Sequence, residues 1–119
     1  MNAYAALIQR QLDAYNNKDI DGWLATYAAD AKQYSLHGEC IAEGHQAMRQ
    51  RIAERFAEPD LHARLLNRVV MANVVVDQEV VTRNFPQGKG EIEMLCVYEI
   101  ENGLIQKASF SFGEAKIYD

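Results

Sequence analysis

A small number of residues in this 119-residue chain have types and spacings that could do chemistry. Gln11 is the first, in the stretch IQRQLDAYNNKDIDGW. Tyr4, Leu7, Ile8, Leu12 and Tyr15 recur at helical spacing and define an apolar stripe, and Gln11 falls on it. An amide on such a face is costly unless it finds a partner, so it is either the polar edge of a core helix or a group aimed at something inside. Ser35 and His37 come next. They are two apart on an extended segment and share a face, and a histidine titrates near neutrality and can act as a general base. His37-Gly38-Glu39 also reads as a polar turn, and simple alternation would send Tyr34 and Leu36 inward instead. Tyr15, Tyr27 and Tyr98 lie on inward stripes, where a phenol can hydrogen-bond a carbonyl or sit in the core with its hydroxyl on a backbone partner. His37 is the acid–base candidate that residue type alone offers.

Asp77 and Glu79 share one strand face, and paired carboxylates can do acid–base work. Flanked by Val76 and Val80 near a turn, they read as a solvated strand edge. Cys40 and Cys96 fit no metal or redox spacing, and no Gly-rich phosphate loop, metal-ligand cluster or Ser-His-Asp arrangement is visible. No metal or cofactor is therefore expected.

The elements that must position these residues follow from periodicity. Helices are expected from Ala3 to Asn16, after the N-cap Asp19 with Ile20, Trp23, Leu24 and Tyr27 on one face, and from Gly44 to just before Pro59 with Met48, Ile52 and Phe56 on its stripe. Between the last two, residues 31–36 leave room for one short strand. The second half reads as an antiparallel meander over residues 61–71, 74–83, 92–101 and 104–112, rich in Val, Ile, Leu and aromatics. Asn102-Gly103 is a type I′ hairpin signal, and Pro86–Gly90 a looser turn. Helices first and a sheet afterwards imply an α+β fold in one domain spanning residues 1–119.

Alternation assigns faces. Ile92, Met94, Cys96, Tyr98 and Ile100 should meet the helices, joined by Phe110 and Phe112. The other face carries Leu95 and Val97 between glutamates, with Ser109 and Ser111 beside them; a monomer has little reason to expose that apolar middle. His62, Arg64 and Arg68 read as outward, the arginines able to answer the glutamates. A homodimer through Leu95, Val97, Ser109 and Ser111 is the expectation.

Charge and hydropathy narrow the class further. Twelve basic against 17 acidic residues give a net charge of −5, which argues against a nucleic-acid partner. The basic run Arg49–Arg55 is diluted by Glu54 and Glu58 and reads as a solvated helix face. Val69–Val76 is too short to span a bilayer, so no membrane association is expected. MNAYAALIQRQ lacks the pattern of a signal peptide, and two lone cysteines suit a reducing compartment, so a cytoplasmic protein is expected.

QRQLDAYNNKDIDG, then ATYAADAKQY, the glycines Gly38 and Gly44, and the tail FSFGEAKIYD resemble the ketosteroid isomerases. These belong to the nuclear transport factor 2-like superfamily, with the SnoaL-like polyketide cyclases, scytalone dehydratase and limonene epoxide hydrolase. The resemblance runs from about Gln9 to Ile52, loosens through residues 61–90, and returns from Asn102 to the end. It implies a cone-shaped fold: three N-terminal helices packed on a curved, mainly antiparallel sheet around a deep apolar pocket, usually as a dimer. It also implies pocket positions for Gln11, Tyr15, Ser35, Met94, Cys96, Tyr98, Phe110 and Phe112, holding a small hydrophobic ligand of carbonyl, steroid or polyketide type.

The isomerase reaction uses an aspartate base, with a tyrosine and a protonated aspartic acid donating to the dienolate oxygen. Residue by residue, the tyrosine falls on Gln11, the base on Ser35 and the acid on Cys96. An amide is a weaker match for an enolate than a phenol, a thiol is a poor donor, and a serine cannot take the proton unaided. Steroid isomerisation by that mechanism is not expected. What remains is a binding domain or, alternatively, an isomerase, cyclase or dehydratase using relocated groups such as His37 and Tyr27, with Tyr27 falling beside the isomerase tyrosine network. The hydrolase's Asp-Arg-Asp set has no evident inward stripe to hold it.

Overall fold

A computed structural model describes residues 2–119. The first helix, α1 (Ala3–Asn16), begins where the Asn2 side-chain oxygen accepts the Tyr4 N–H at 2.8 Å, satisfying a donor that the helix cannot. Its stripe buries Leu7, Ile8 and Leu12. Asp19 caps α2 (Ile20–Leu24) through the Gly22 N–H at 3.0 Å, and Trp23 and Leu24 turn into the core. The third helix, α3 (Gly44–Phe56), buries Met48, Ile52 and Phe56 and ends three residues before Pro59.

Two boundaries differ from expectation. Helix α2 is a single short stretch, and Tyr27 opens β1 (Tyr27–Ser35) rather than closing the helix. The cause is Thr26: its hydroxyl donates to the Trp23 carbonyl at 2.6 Å, and its own carbonyl accepts the Ile105 N–H at 2.9 Å. That draws the chain out of helix and into the sheet. The polar turn after Ser35 then returns the chain as β2 (Cys40–Glu43), an antiparallel edge strand that the short run CIAE did not signal.

The meander is present as β3 (His62–Met71), β4 (Val74–Phe85), β5 (Gly88–Glu101) and β6 (Leu104–Ile117). Among the described residues the sheet has six strands in the order β2-β1-β6-β5-β4-β3, with β1 parallel to β6 and the other pairs antiparallel. Asn102 (φ 52) and Gly103 (φ 78) both take positive φ, as a type I′ turn requires. The other turn is tighter than expected: Phe85 pairs with Gly88 across Pro86-Gln87 alone, so both strands run longer. Helix α1 packs on β3 and β4 and α3 on β1 and β2, so all three helices cover the same face of the sheet.

A bulge in β3 decides which residues reach that face. Leu65 pairs with Glu79 and Asn67 with Gln78, leaving Leu66 as an extra residue. Parity inverts beyond it. Ala63 and Leu65 point inward before the bulge and Arg68 and Val70 after it, while Leu66, Val69 and Met71 are exposed. The expectation that Arg68 faces outward fails for this reason. In β1, Ala31 and Gln33 are buried and Tyr34 is not, so this strand follows the parity implied by resemblance rather than by its own weak alternation. No helix among the described residues is long and apolar enough to cross a membrane.

Candidate functional site

The sheet register stacks inward side chains in rows. Arg68, Asp77, Cys96, Phe110 and Ser35 are successive cross-strand neighbours, and the next row holds Leu65, Glu79, Met94 and Phe112. Helices α1 and α3 close over these rows and leave a cavity of about 80 Å³. Apolar wall comes from Leu12, Ile52 and Val81, and from the expected Met94, Cys96 and Phe110. Phe112 also lines the cavity but is 51% exposed, because it lies where the wall meets solvent.

Gln11 is 5% exposed and lines the cavity. Its Oε1 accepts the Tyr98 hydroxyl at 3.3 Å, tying α1 to β5. Tyr15, Tyr27 and Tyr98 line the cavity as well. Burial pushes all three hydroxyls above the ordinary phenol range, and pushes the Cys96 thiol up too. These groups hold their protons at neutral pH and can donate, but they cannot act as bases. Among the described residues the Tyr27 hydroxyl nears the Gln33 side chain without closing a hydrogen bond, and the Trp23 Nε1 is likewise buried without a partner. Two orphaned donors beside one cavity are uncommon, because each forfeits a bond it had in water.

His37 and Ser35 lie elsewhere. His37 is exposed in the β1–β2 turn, where its N–H donates to the Ser35 Oγ at 3.3 Å. Ser35 has inward parity, but it sits at the end of its strand, beyond the residues that line the cavity. The polar turn therefore prevails over a base at the pocket mouth.

Asp77 and Glu79 overturn the solvated-edge reading. They are 0% and 4% exposed, with Val75 and Val81 continuing their inward face. Asp77 accepts a bidentate pair from Arg68, Nε at 2.7 Å and NH2 at 2.9 Å, while Arg68 NH1 donates to the Gln9 Oε1 at 2.9 Å. The carboxylate's hydrogen bonds hold the Arg68 guanidinium more firmly protonated. Glu79 lines the cavity and, among the described residues, has no cationic partner of its own. Burial raises its carboxyl from 4.5 to about 7; the Asp77 charge pushes the same way, opposed more weakly by Arg68 and by the neighbouring Cys96 thiol. Glu79 is thus a buried carboxyl poised between its two protonation states at neutral pH.

The sequence marks this carboxylate pair but does not turn it inward, because VVVDQEVV is apolar on both faces and alternation cannot choose between them. The basic run of α3 reads locally as a solvated helix face, whereas the structure brings its Arg51 and Arg55 together with Arg83 of β4 and the buried Gln33 around the cavity. Among the described residues no three His, Cys, Asp or Glu side chains converge to hold a metal ion.

A family model described as a SnoaL-like domain matches residues 8–108. No curated protein sequence matches the chain. Solved structures share its fold. An uncharacterised cystatin-fold protein from Novosphingobium aromaticivorans is 24% identical, with a TM-score of 0.84, covering 93% of this chain and 98% of that one. An NTF2-like protein of unknown function from Burkholderia pseudomallei is 16% identical at a TM-score of 0.83, over 95% and 92% of the two chains. A proposed ketosteroid isomerase from Kribbella flavida is 16% identical at 0.81, over 98% and 82%.

Proposed function

This chain belongs to the family of SnoaL-like domains, and from that premise we propose that its cavity binds a small hydrophobic carbonyl compound and moves a proton on it, with Glu79 as the general base. The observation that carries this reading is Glu79 itself, a carboxyl buried on the cavity wall with no cationic partner among the described residues, which burial pushes up to about 7. A base with a pKa near the working pH combines a useful ionised fraction with useful basicity. The Glu79 carboxylate takes a proton from the carbon next to the carbonyl. The C–H pair becomes a C=C bond, and the carbonyl π pair moves onto oxygen. Tyr27 and Trp23 supply unpartnered donors for that oxygen, and the protonated Glu79 returns the proton to carbon. The outcome is a redox-neutral isomerisation or epimerisation.

Steroids are not the substrate on this reading. Gln11, Ser35 and Cys96 stand where the isomerase resemblance requires its three working groups. Ligand binding stands as part of the reading whether or not turnover follows.

The protein acts as a homodimer on the same reading, supported by Leu66, Val69, Met71 and Leu95, which leave large apolar side chains exposed. Val97 and Ser111 flank Leu95 on the outer side and are half-buried, whereas Ser109 is buried between Tyr34 and Val97 within the chain and offers little to a partner.

The test is deuterium incorporation from D₂O into short ketones, followed by NMR. Exchange by the native protein should rise with pH through about 7 and vanish in Glu79→Gln with ligand affinity retained. Equal exchange in the two proteins would remove Glu79 from the reaction.

A further inference from the structure

The rim of the cavity carries three arginines whose charges are not equivalent. Arg55 and Arg83 converge on Glu58: Arg55 NH1 lies 3.0 Å from its Oε2, and Arg83 donates to both oxygens at 3.2 and 3.0 Å. One carboxylate thus engages two of the guanidinium groups. Arg51 differs. Its NH1 donates to the neutral Gln33 Oε1 at 3.3 Å, and among the described residues no carboxylate lies within ion-pair distance. Its own partial burial, and after it the charge of Arg55 one turn along α3, weaken its hold on its proton against a smaller through-space attraction from Glu54. A guanidinium lining a cavity, crowded by a like charge and held by one long amide contact, lacks the planar anion it is built to bind.

We infer that Arg51 anchors a carboxylate of the ligand at the cavity mouth, so that the substrate class is a short oxo-carboxylic acid. This rests on the proton-transfer reading for the role of Glu79 but not for the anion site. Arg51, Ile52, Tyr15, Tyr27 and Glu79 line one cavity, which offers a partner to each part of such a molecule. The carboxylate pairs with Arg51 at the rim, and the apolar chain lies along Ile52 and Tyr15. The carbonyl reaches the orphaned Tyr27 hydroxyl, and the activated C–H lies toward Glu79. Tyr27 feels both the Arg51 and the Glu79 charges, which fits its position between the two ends. Geometry favours a monoanion: with Glu58 engaging both Arg55 and Arg83, Arg51 is the one rim guanidinium left without a carboxylate among the described residues, and one planar fork matches one carboxylate.

Calorimetric titration with levulinate, its methyl ester and methyl propyl ketone tests this. Levulinate should bind about tenfold tighter than the ester, a preference that shrinks to a few-fold at high salt because the rim is open to water. Arg51→Gln should erase the preference while leaving ester affinity unchanged, and Arg51→Lys should keep part of it. Both side chains sit at the rim, and thermal unfolding of each variant confirms that the fold is retained. Equal affinity for acid and ester, equal weakening of both by Arg51→Gln, tighter binding of the matching phosphonate, or no levulinate binding at millimolar concentration would each overturn the inference. The two readings separate in deuterium exchange. Arg51-dependent levulinate binding without Glu79-dependent exchange keeps the anion site and sinks proton transfer. Glu79-dependent exchange into the ester, with no Arg51 effect on the acid, does the reverse.

Discussion

Replacing Glu79 by glutamine should make the protein more stable, and only at a pH where the carboxyl would be ionised. The folded state raises this carboxyl from 4.5 to about 7. A raised carboxyl means that the native state holds its proton more tightly than the unfolded chain does. Its contribution is therefore flat below about 4.5, becomes unfavourable as pH climbs through the window to about 7, and is flat again above it. At 1.36 kcal/mol per unit, the full cost above pH 7 is about 3 kcal/mol. The carboxylates of Asp30 and Asp60, held below their ordinary range by amide hydrogen bonds from Gln106 and Asn84, change their contribution below that window and do not mask it. Glutamine keeps the shape and removes the charge. Urea unfolding followed by fluorescence of the single tryptophan, Trp23, should show native stability falling between about pH 5 and about pH 8. The variant should stay level across the same interval. At the upper end it should be more stable by about 3 kcal/mol, or about 10 °C in Tm. Parallel profiles for the two proteins would mean that Glu79 is not buried as an ionisable group, and the base assignment would go with it. A stabilised variant that has lost deuterium exchange is the pattern expected of a site whose function costs stability.

Other perturbations probe separate parts of the structure. Arg68→Ala strands the fully buried Asp77 charge and should cost about 3–5 kcal/mol by urea unfolding. Tyr27→Phe deletes a hydroxyl with no partner, so stability should hold or rise by about 1 kcal/mol while exchange falls at least about tenfold. Gly103→Ala forces a side chain to φ 78 and should cost about 1 kcal/mol with ligand binding intact, by thermal unfolding and titration. Leu95→Glu adds a charge to the outer face, where Leu95 is 37% exposed, and should shift sedimentation at micromolar concentration toward the monomer; a native protein that is already monomeric would rule out this dimer.

Local patterns carried the fold. Asn2, Asp19 and Asn102-Gly103 act through neighbours within four residues, so caps and hairpin turn were readable from the chain or adjoin elements that were. The stripes on α1 and α3 and the alternation of β5 were equally local, and the residues they turned inward meet in the observed core. What failed was local too, but small. One extra residue, Leu66, inverted the face of β3 and took Arg68 from the surface to Asp77. One hydroxyl on Thr26 ended α2 and moved Tyr27 into the sheet.

The site divides along the same line. By itself the sequence determined that Gln11 would lie on a buried stripe, that Cys96, Tyr98 and Phe110 would share a face, and that His37 had a turn as its alternative, because each depends on period and neighbouring residues. Only the tertiary structure decided that Glu79 would sit on the cavity wall with no cationic partner among the described residues while Asp77, two residues away, is neutralised by Arg68. Likewise only it decided that Glu58 would engage two arginines and leave Arg51 without a counter-ion among the described residues. Burial and charge pairing depend on what other segments bring to the same place. A carboxylate's environment is a property of the assembled sheet and helices, and no stretch of chain around Glu79 contains it.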